Sequence, residues 1–361
     1  MTPSSQRATR APSALRIVFF GTPDIAVPTL ERLRMSRHPI VGVVSQPDRG
    51  RGRGRKPSPS PVAEVALREG IPLLRPEKAG APECVEAIRA WRPDLGVVVA
   101  FGQFLPKSLR ELPTKGYLIN AHASLLPRHR GAGPIVRAII EGDAETGISV
   151  MRIEREMDSG PVAHVARTPI GPRENAAELT LRLASLAAEC IARTVDAIAE
   201  DRVVWTEQDP TRATWAAKID KQDALLDVRA DARALVHRIH ALAPRPGAAL
   251  VVVSRGVRRP LKILRADALP FACGESPAPG TLDRNAPALP LRIATGDGWL
   301  VPIEVQRANG KAMGIGDFLR GFALDPGDCC DSATAADAAG GDPDAAGASR
   351  SSAERDATET A

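Results

Sequence analysis

Ile119-Asn120-Ala121-His122-Ala123-Ser124-Leu125-Leu126-Pro127-Arg128-His129-Arg130-Gly131-Ala132-Gly133-Pro134 starts as the end of a short apolar strand, crosses a loop of turn-forming residues and enters a helical pattern at Ile135–Glu141. Strand, loop and helix in that order form the repeating unit of a parallel sheet. Asn120 and His122 are two residues apart, so extended backbone sends both side chains to the same side. The carboxyl end of a strand is where open α/β sheets hold their ligands.

The same grammar extends in both directions. Apolar runs of strand length at Leu15–Phe20, Ile40–Ser45, Leu95–Ala100, Tyr117–Asn120 and Ile148–Ile153 alternate with helical patterns at Ile25–Met35, Val62–Glu69, Glu83–Ala90 and Ile135–Glu141. A long helix, Asn175–Glu200, closes the series. Asn175 and Glu178 form a capping box there, and Leu179, Leu183, Leu186 and Ile191 mark one apolar face. These features predict a first domain over residues 14–202, then a linker over 203–218 that lacks periodicity. Residues 219–325 read differently, as a helix at Ala230–Leu242 and short strands at Ala249–Val253, Pro260–Leu264, Leu291–Ala294 and Leu300–Val305. Short strands between Gly/Pro turns predict a small barrel. Residues 1–13 and 326–361 are too poor in large apolar side chains to offset ordering entropy and are expected to be disordered.

The 361 residues carry a net charge of +5, but residues 326–361 hold eight acids against two arginines, which leaves +11 on the rest. A basic body with an acidic tail favours a polyanionic partner. The five cysteines have no metal-ligand spacing and suit free thiols in a reducing cytoplasm. No apolar run approaches the roughly 20 residues that span a bilayer, so no membrane segment is expected.

Phe20-Gly21-Thr22-Pro23-Asp24 occupies the position of a phosphate loop but has one glycine and no lysine, so it reads as a structural turn. Met157-Asp158-Ser159-Gly160-Pro161 supplies a carboxylate in a glycine-containing turn. Asn120 offers an amide donor, His122 a donor or proton carrier, and Asp158 a proton acceptor; together they form a set suited to acyl transfer. Each residue alone has an ordinary structural use as a cap, a core histidine or a turn former.

Taken together, Asn120-x-His122, the Ser124-Leu125-Leu126-Pro127 run, Arg130-Gly131 and the later Asp158-x-Gly160 resemble the formyltransferase family that uses 10-formyltetrahydrofolate. The resemblance continues through Thr214–Lys221, Pro246–Ala248, Ala294–Gly298 and Gly310–Met313, covering about residues 14–324. It implies an α/β fold, a Rossmann-like formyltransferase domain with a parallel-rich sheet, followed by a smaller OB-like β-barrel domain. It implies Asn120, His122 and Asp158 as catalytic residues, Ser124, Leu125, Leu126 and Pro127 as folate contacts, and no metal. Phe101–Leu105 would roof the pterin; Phe101 stands where the family commonly has tyrosine.

Ser45–Pro61 packs Arg49, Arg51, Arg53, Arg55 and Lys56 among three glycines and reads as an extended cationic arm whose guanidinium groups can fork onto phosphates. It resembles the basic insertion of the branch of the family that formylates initiator methionyl-tRNA, with Arg53 at the discriminating position. The expectation is therefore formyl transfer from 10-formyltetrahydrofolate to the methionine amino group of initiator methionyl-tRNA, by a cytoplasmic monomer. Arg245, Arg255, Arg258, Arg259 and Lys262 are candidates for a second RNA surface, and the acidic tail for a competitor of RNA at the basic arm. The alternatives are a sugar-nucleotide or other small-amine formyltransferase, for which the arm has no use, and a non-catalytic RNA-binding protein, which would not need Asn120, His122 and Asp158.

Overall fold

The computed structural model describes residues 14–51, 56–286, 289–308, 310–335 and 337. The chain forms two compact units: the first ends at Ala216, and the second comprises the residues from Ala217 onward with Ile135–Ala144 and Pro169–Leu179.

The first unit is built on a seven-stranded sheet. Its strands are β1 (Ile17–Gly21), β2 (Ile40–Val44), β3 (Leu73–Leu74), β4 (Leu95–Val99), β5 (Leu118–His122), β6 (Glu145–Arg152) and β7 (Val162–Pro169), in the order β7-β6-β5-β4-β1-β2-β3. β3, β2, β1, β4 and β5 run parallel, and β6 joins β5 antiparallel. The central strands β1 and β4 are buried at every position, which is why their sequences, IVFFG and LGVVV, show no polar alternation. Helices Val27–Arg34, Pro61–Arg68 and Pro82–Ala90 follow the sequence reading closely. In the long helix Ala176–Ala199 the capping box is present: Glu178 N–H donates to Asn175 Oδ1 at 2.9 Å and Asn175 N–H to Glu178 Oε2 at 3.0 Å.

Two sequence expectations change in this unit. The basic arm is not simply extended, because Arg49–Arg51 pairs antiparallel with Lys56–Ser58 as the stem of a hairpin. An Asp48–Arg75 ion pair at 2.6 Å sits at its base, and Ser60 caps the next helix by accepting from Ala63 N–H. Arg53 and Arg55 lie outside the described residues. The aperiodic segment read as a linker is laid along the first unit: Thr206 pairs with Val162, and the two-residue strand Trp215–Ala216 pairs parallel with Arg130–Gly131. Backbone bonding of this kind leaves no hydrophobic periodicity to read.

The second unit is a nearly closed antiparallel barrel of β8 (Ala248–Ser254), β9 (Val257–Pro270), β10 (Leu282–Asp283), β11 (Arg292–Ala294), β12 (Gly298–Arg307), β13 (Ala312–Gly314) and β14 (Cys329–Ser332), with helix Ala232–Leu242 packed on it. The order is β10-β11-β12-β9-β8-β14, with β13 on β12. β14 corrects the expectation that disorder begins at residue 326. It pairs with β8 on one side, and Cys329 bridges to Thr281 beside β10 on the other, so this polar segment nearly closes the barrel. Its inward residue, Cys330, is 5% exposed, and burial pushes its thiol up to about 12. A single inward side chain on a ladder of backbone bonds suffices, although it offers almost no apolar signal. Residues 1–13 and 338–361, also expected to be disordered, lie outside the described residues.

Candidate active site

The site forms at the carboxyl end of β5, where the sheet changes from parallel to antiparallel pairing. Asn120 lies opposite Val98 of β4 and Met151 of β6, and His122 opposite Ser149. The pleat puts Asn120 and His122 on the same side. Asn120 is half-buried, and among the described residues no hydrogen bond engages its carboxamide. His122 is 6% exposed. Its Nε2 lies 2.8 Å from the His129 carbonyl oxygen, an acceptor, so Nε2 carries the hydrogen of that bond. Nδ1 then faces Asp158 Oδ2 at 3.5 Å.

Asp158 arrives on the loop between β6 and β7, with φ +53, a left-handed conformation uncommon outside glycine. Its Oδ2 accepts from Gly131 N–H at 2.8 Å. Gly131 cannot be replaced freely: φ is +116, and a Cβ would stand 2.8 Å from the Ala216 carbonyl oxygen. Gly160 is equally constrained, since its Cβ would fall 2.2 Å from the Arg152 carbonyl oxygen. At the end of β6, the Arg152 guanidinium lies 4.3 Å from the ring centres of both Tyr117 and Trp205, two cation–π contacts that brace the start of the loop.

The Ser124–Pro127 run forms the turn beyond His122. Ser124 is fully buried and its hydroxyl donates to the Arg128 carbonyl, while Ser149 Oγ donates to the Ser124 carbonyl and accepts from Leu126 N–H. The Ser124 hydroxyl is thus spent on the loop's own shape, while Leu125, Leu126 and Pro127 remain half-buried at its surface. Phe101 and Leu105 belong to the core, Phe101 packing edge-on to Phe20 at 5.5 Å, and within the expected roof Phe104 is the apolar residue left exposed.

Of the residues assigned from sequence, His122 and Asp158 meet, and Asn120 shares the strand face of His122. Arg49 is exposed on the hairpin stem. Sequence reading missed Arg130 and Gln208: the Arg130 guanidinium donates to the Gln208 side-chain oxygen, and the Gln208 amide donates to the carbonyls of Asp158 and Gly160. Arg130 stands in the quoted motif, whereas Gln208 lies in the aperiodic segment with no compositional signal.

Comparison with known proteins matches residues 15–195 to the formyl transferase family and residues 218–323 to the formyl transferase C-terminal domain. The chain is 41% identical over 318 residues to the methionyl-tRNA formyltransferase of Citrifermentans bemidjiense, covering 87% of this chain and 96% of that protein. It is 42% identical over 315 residues to that of a Methylobacterium species, covering 87% and 98%. Among solved structures, an N-formyltransferase from Helicobacter canadensis in complex with folinic acid and dTDP-3-aminofucose aligns with a TM-score of 0.58 at 14% identity, covering 80% of this chain and 98% of that one. HypX from Aquifex aeolicus in complex with tetrahydrofolic acid aligns at 0.54 and 18% identity, covering 87% and 49%. At these identities the structural matches speak to the fold.

Proposed function

This chain belongs to the methionyl-tRNA formyltransferase family, and from that premise we propose that Asn120, His122 and Asp158 carry its reaction. The enzyme transfers the formyl group of 10-formyltetrahydrofolate to the free amino group of methionine on initiator methionyl-tRNA. The observation that carries the site assignment is the meeting of Asp158 and His122, with Nε2 held by the His129 carbonyl and Nδ1 turned toward the carboxylate.

The α-amine attacks only when neutral, and its ordinary pKa is roughly 8, so much of it begins protonated at neutral pH. Attack forms a bond from the amine nitrogen to the formyl carbon and places negative charge on the formyl oxygen. The uncommitted carboxamide of Asn120 donates to that oxygen. His122 donates to it as well when Nδ1 carries a hydrogen, its 3.5 Å contact with Asp158 being longer than a hydrogen bond and leaving room to share. Asp158, directly or through water, accepts the proton that the amine nitrogen sheds. The intermediate collapses by breaking the bond from the formyl carbon to N10, and N10 takes up the proton that Asp158 accepted, directly or through water.

Leu125, Leu126 and Pro127 form the folate-facing turn that Ser124 shapes from beneath. The basic segment holding Arg49, Arg51, Arg53, Arg55 and Lys56 grips the tRNA acceptor arm, its guanidinium groups forking onto phosphates. A tRNA substrate suits work in the cytoplasm, and the enzyme is taken to act as a monomer. The test offers labelled 10-formyltetrahydrofolate with initiator methionyl-tRNA, the same tRNA uncharged or bearing another amino acid, and a dTDP-amino sugar. Preferential labelling of methionyl-tRNA is expected. Preference for the amino sugar would make this a small-amine formyltransferase, and no labelling anywhere would return the non-catalytic RNA-binding reading.

A further inference from the structure

Gln208 lies outside the Asn–His–Asp motif, yet its carboxamide makes four bonds under the catalytic loop. Oε1 accepts from Arg130 Nε at 3.1 Å and Nη2 at 2.8 Å, and Nε2 donates to the carbonyls of Asp158 at 2.8 Å and Gly160 at 2.7 Å. Chemistry fixes this orientation, because a guanidinium only donates and a carbonyl only accepts. Turning the amide over would face NH2 against the guanidinium and oxygen against two carbonyls. Arg130, only 6% exposed, is anchored in turn by its backbone N–H on the Thr214 carbonyl at 2.8 Å.

Asp158 is consequently tied at both ends to the same two-residue strand. Its carboxylate is bound by Gly131 N–H, and its peptide is bound through Gln208 to the side chain of Arg130. A non-glycine residue at φ +53 relaxes unless its surroundings hold it. The carboxylate must also stay within reach of His122 and the attacking amine, where a displacement of about 1 Å can cost on the order of 100-fold in rate.

We propose that Gln208 and Arg130 are positioning residues that lock the left-handed Asp158 turn, so that the carboxylate is held against His122 in the geometry the transfer needs. Gln208 touches no reacting atom and acts through Asp158. The inference rests on the assignment of Asp158 to the reaction, so the experiment includes a separate arm for that assignment.

The full-length enzyme is assayed as wild type, Gln208→Ala, Gln208→Glu, Asp158→Asn and the double variant Asp158→Asn/Gln208→Ala, with kcat, KM for each substrate and Tm measured for all. Gln208→Ala is expected to lower kcat by about 10- to 100-fold with both KM values within about twofold. In the Asp158→Asn background the same substitution should cost less than about twofold, because the group it positions is already gone. Gln208→Glu keeps the volume and the acceptor for Arg130 but sets a carboxylate oxygen against two carbonyls, so kcat should fall while Tm is retained. It decides the matter if the alanine variant does not fold. Equal fold-losses from Gln208→Ala in both backgrounds, a loss expressed only in KM, or wild-type kcat in Gln208→Glu would overturn the proposal. Wild-type activity in Asp158→Asn would instead overturn the assignment beneath it.

Discussion

Gly131→Ala separates the backbone's contribution to the site from that of the proposed catalytic side chains. At φ +116 an alanine is strained by roughly 1–2 kcal/mol, and its Cβ would meet the Ala216 carbonyl oxygen at 2.8 Å, so the pair Arg130–Gly131 and Trp215–Ala216 must open. That movement draws Gly131 N–H from the Asp158 carboxylate it now meets at 2.8 Å. A hydrogen bond to a charged group is worth about 1.5–3 kcal/mol, and each 1.4 kcal/mol or so is tenfold in rate. Gly131→Ala should therefore lower kcat/KM for formyl transfer by about 10- to 100-fold in single-turnover assays. Gly70→Ala is the control: it is also at positive φ, +65, but a Cβ there meets nothing within 4 Å, so it should lose stability by roughly 1 kcal/mol and no activity. Wild-type kcat/KM in Gly131→Ala, or equal losses in both variants, would refute the claim that this backbone bond sets the Asp158 carboxylate.

Other expectations follow from charge and burial. Burial, with the Arg265 charge beside it, pushes the His240 imidazole down to about 4, and its Nε2 accepts from Ala266 N–H at 3.3 Å. The unfolded chain takes up that proton near pH 6.5, so the stability is fully present above that value, is lost as pH falls toward 4, and falls no further below; the loss is on the order of 3 kcal/mol. Urea unfolding at about pH 7 and about pH 4.5 should show this loss in wild type and a smaller one in His240→Gln. Among the described residues of the tail, Asp331 and Asp337 pair with Arg258 of the barrel at 2.5 Å and 3.0 Å. Asp331→Asn/Asp337→Asn should tighten tRNA binding at low salt and steepen its salt dependence by roughly one phosphate contact, whereas deleting residues 326–361 should lower Tm by removing β14; unchanged affinity in the double variant would dismiss the competition. Arg53→Ala should raise KM for initiator tRNA and leave kcat at saturating tRNA within about twofold, and an unchanged KM at moderate salt would remove that residue from the tRNA contact.

How much of this was legible in the sequence depended on where the stabilising bonds go. β4 could be read because both its faces are buried and its residues are apolar throughout. β7, an edge strand whose residues alternate between half-buried and exposed, carries VAHVARTP and gave no strand signal. β14 and the stretch over 203–216 are held mainly by backbone pairing, which any sequence can supply, so one read as disorder and the other as a linker. The placement of the proposed catalytic residues was legible because Asn120 and His122 share a strand face and Asp158 stands in a glycine turn. Gln208 was not, because its bonds to backbone carbonyls and to Arg130 exist only once the segment has folded back. The bond from the Ser124 hydroxyl to the Arg128 carbonyl was not legible either, because it too forms only in the folded loop.

The central claim is that Asn120, His122 and Asp158 perform the transfer. Its most direct test is single-turnover formylation of initiator methionyl-tRNA, with saturating 10-formyltetrahydrofolate, by wild type, Asn120→Ala and Asp158→Asn. The account predicts rapid formation of N-formylmethionyl-tRNA by the wild type, and losses on the order of 100-fold or more in each variant with tRNA binding preserved. Near wild-type rates in either variant would contradict it.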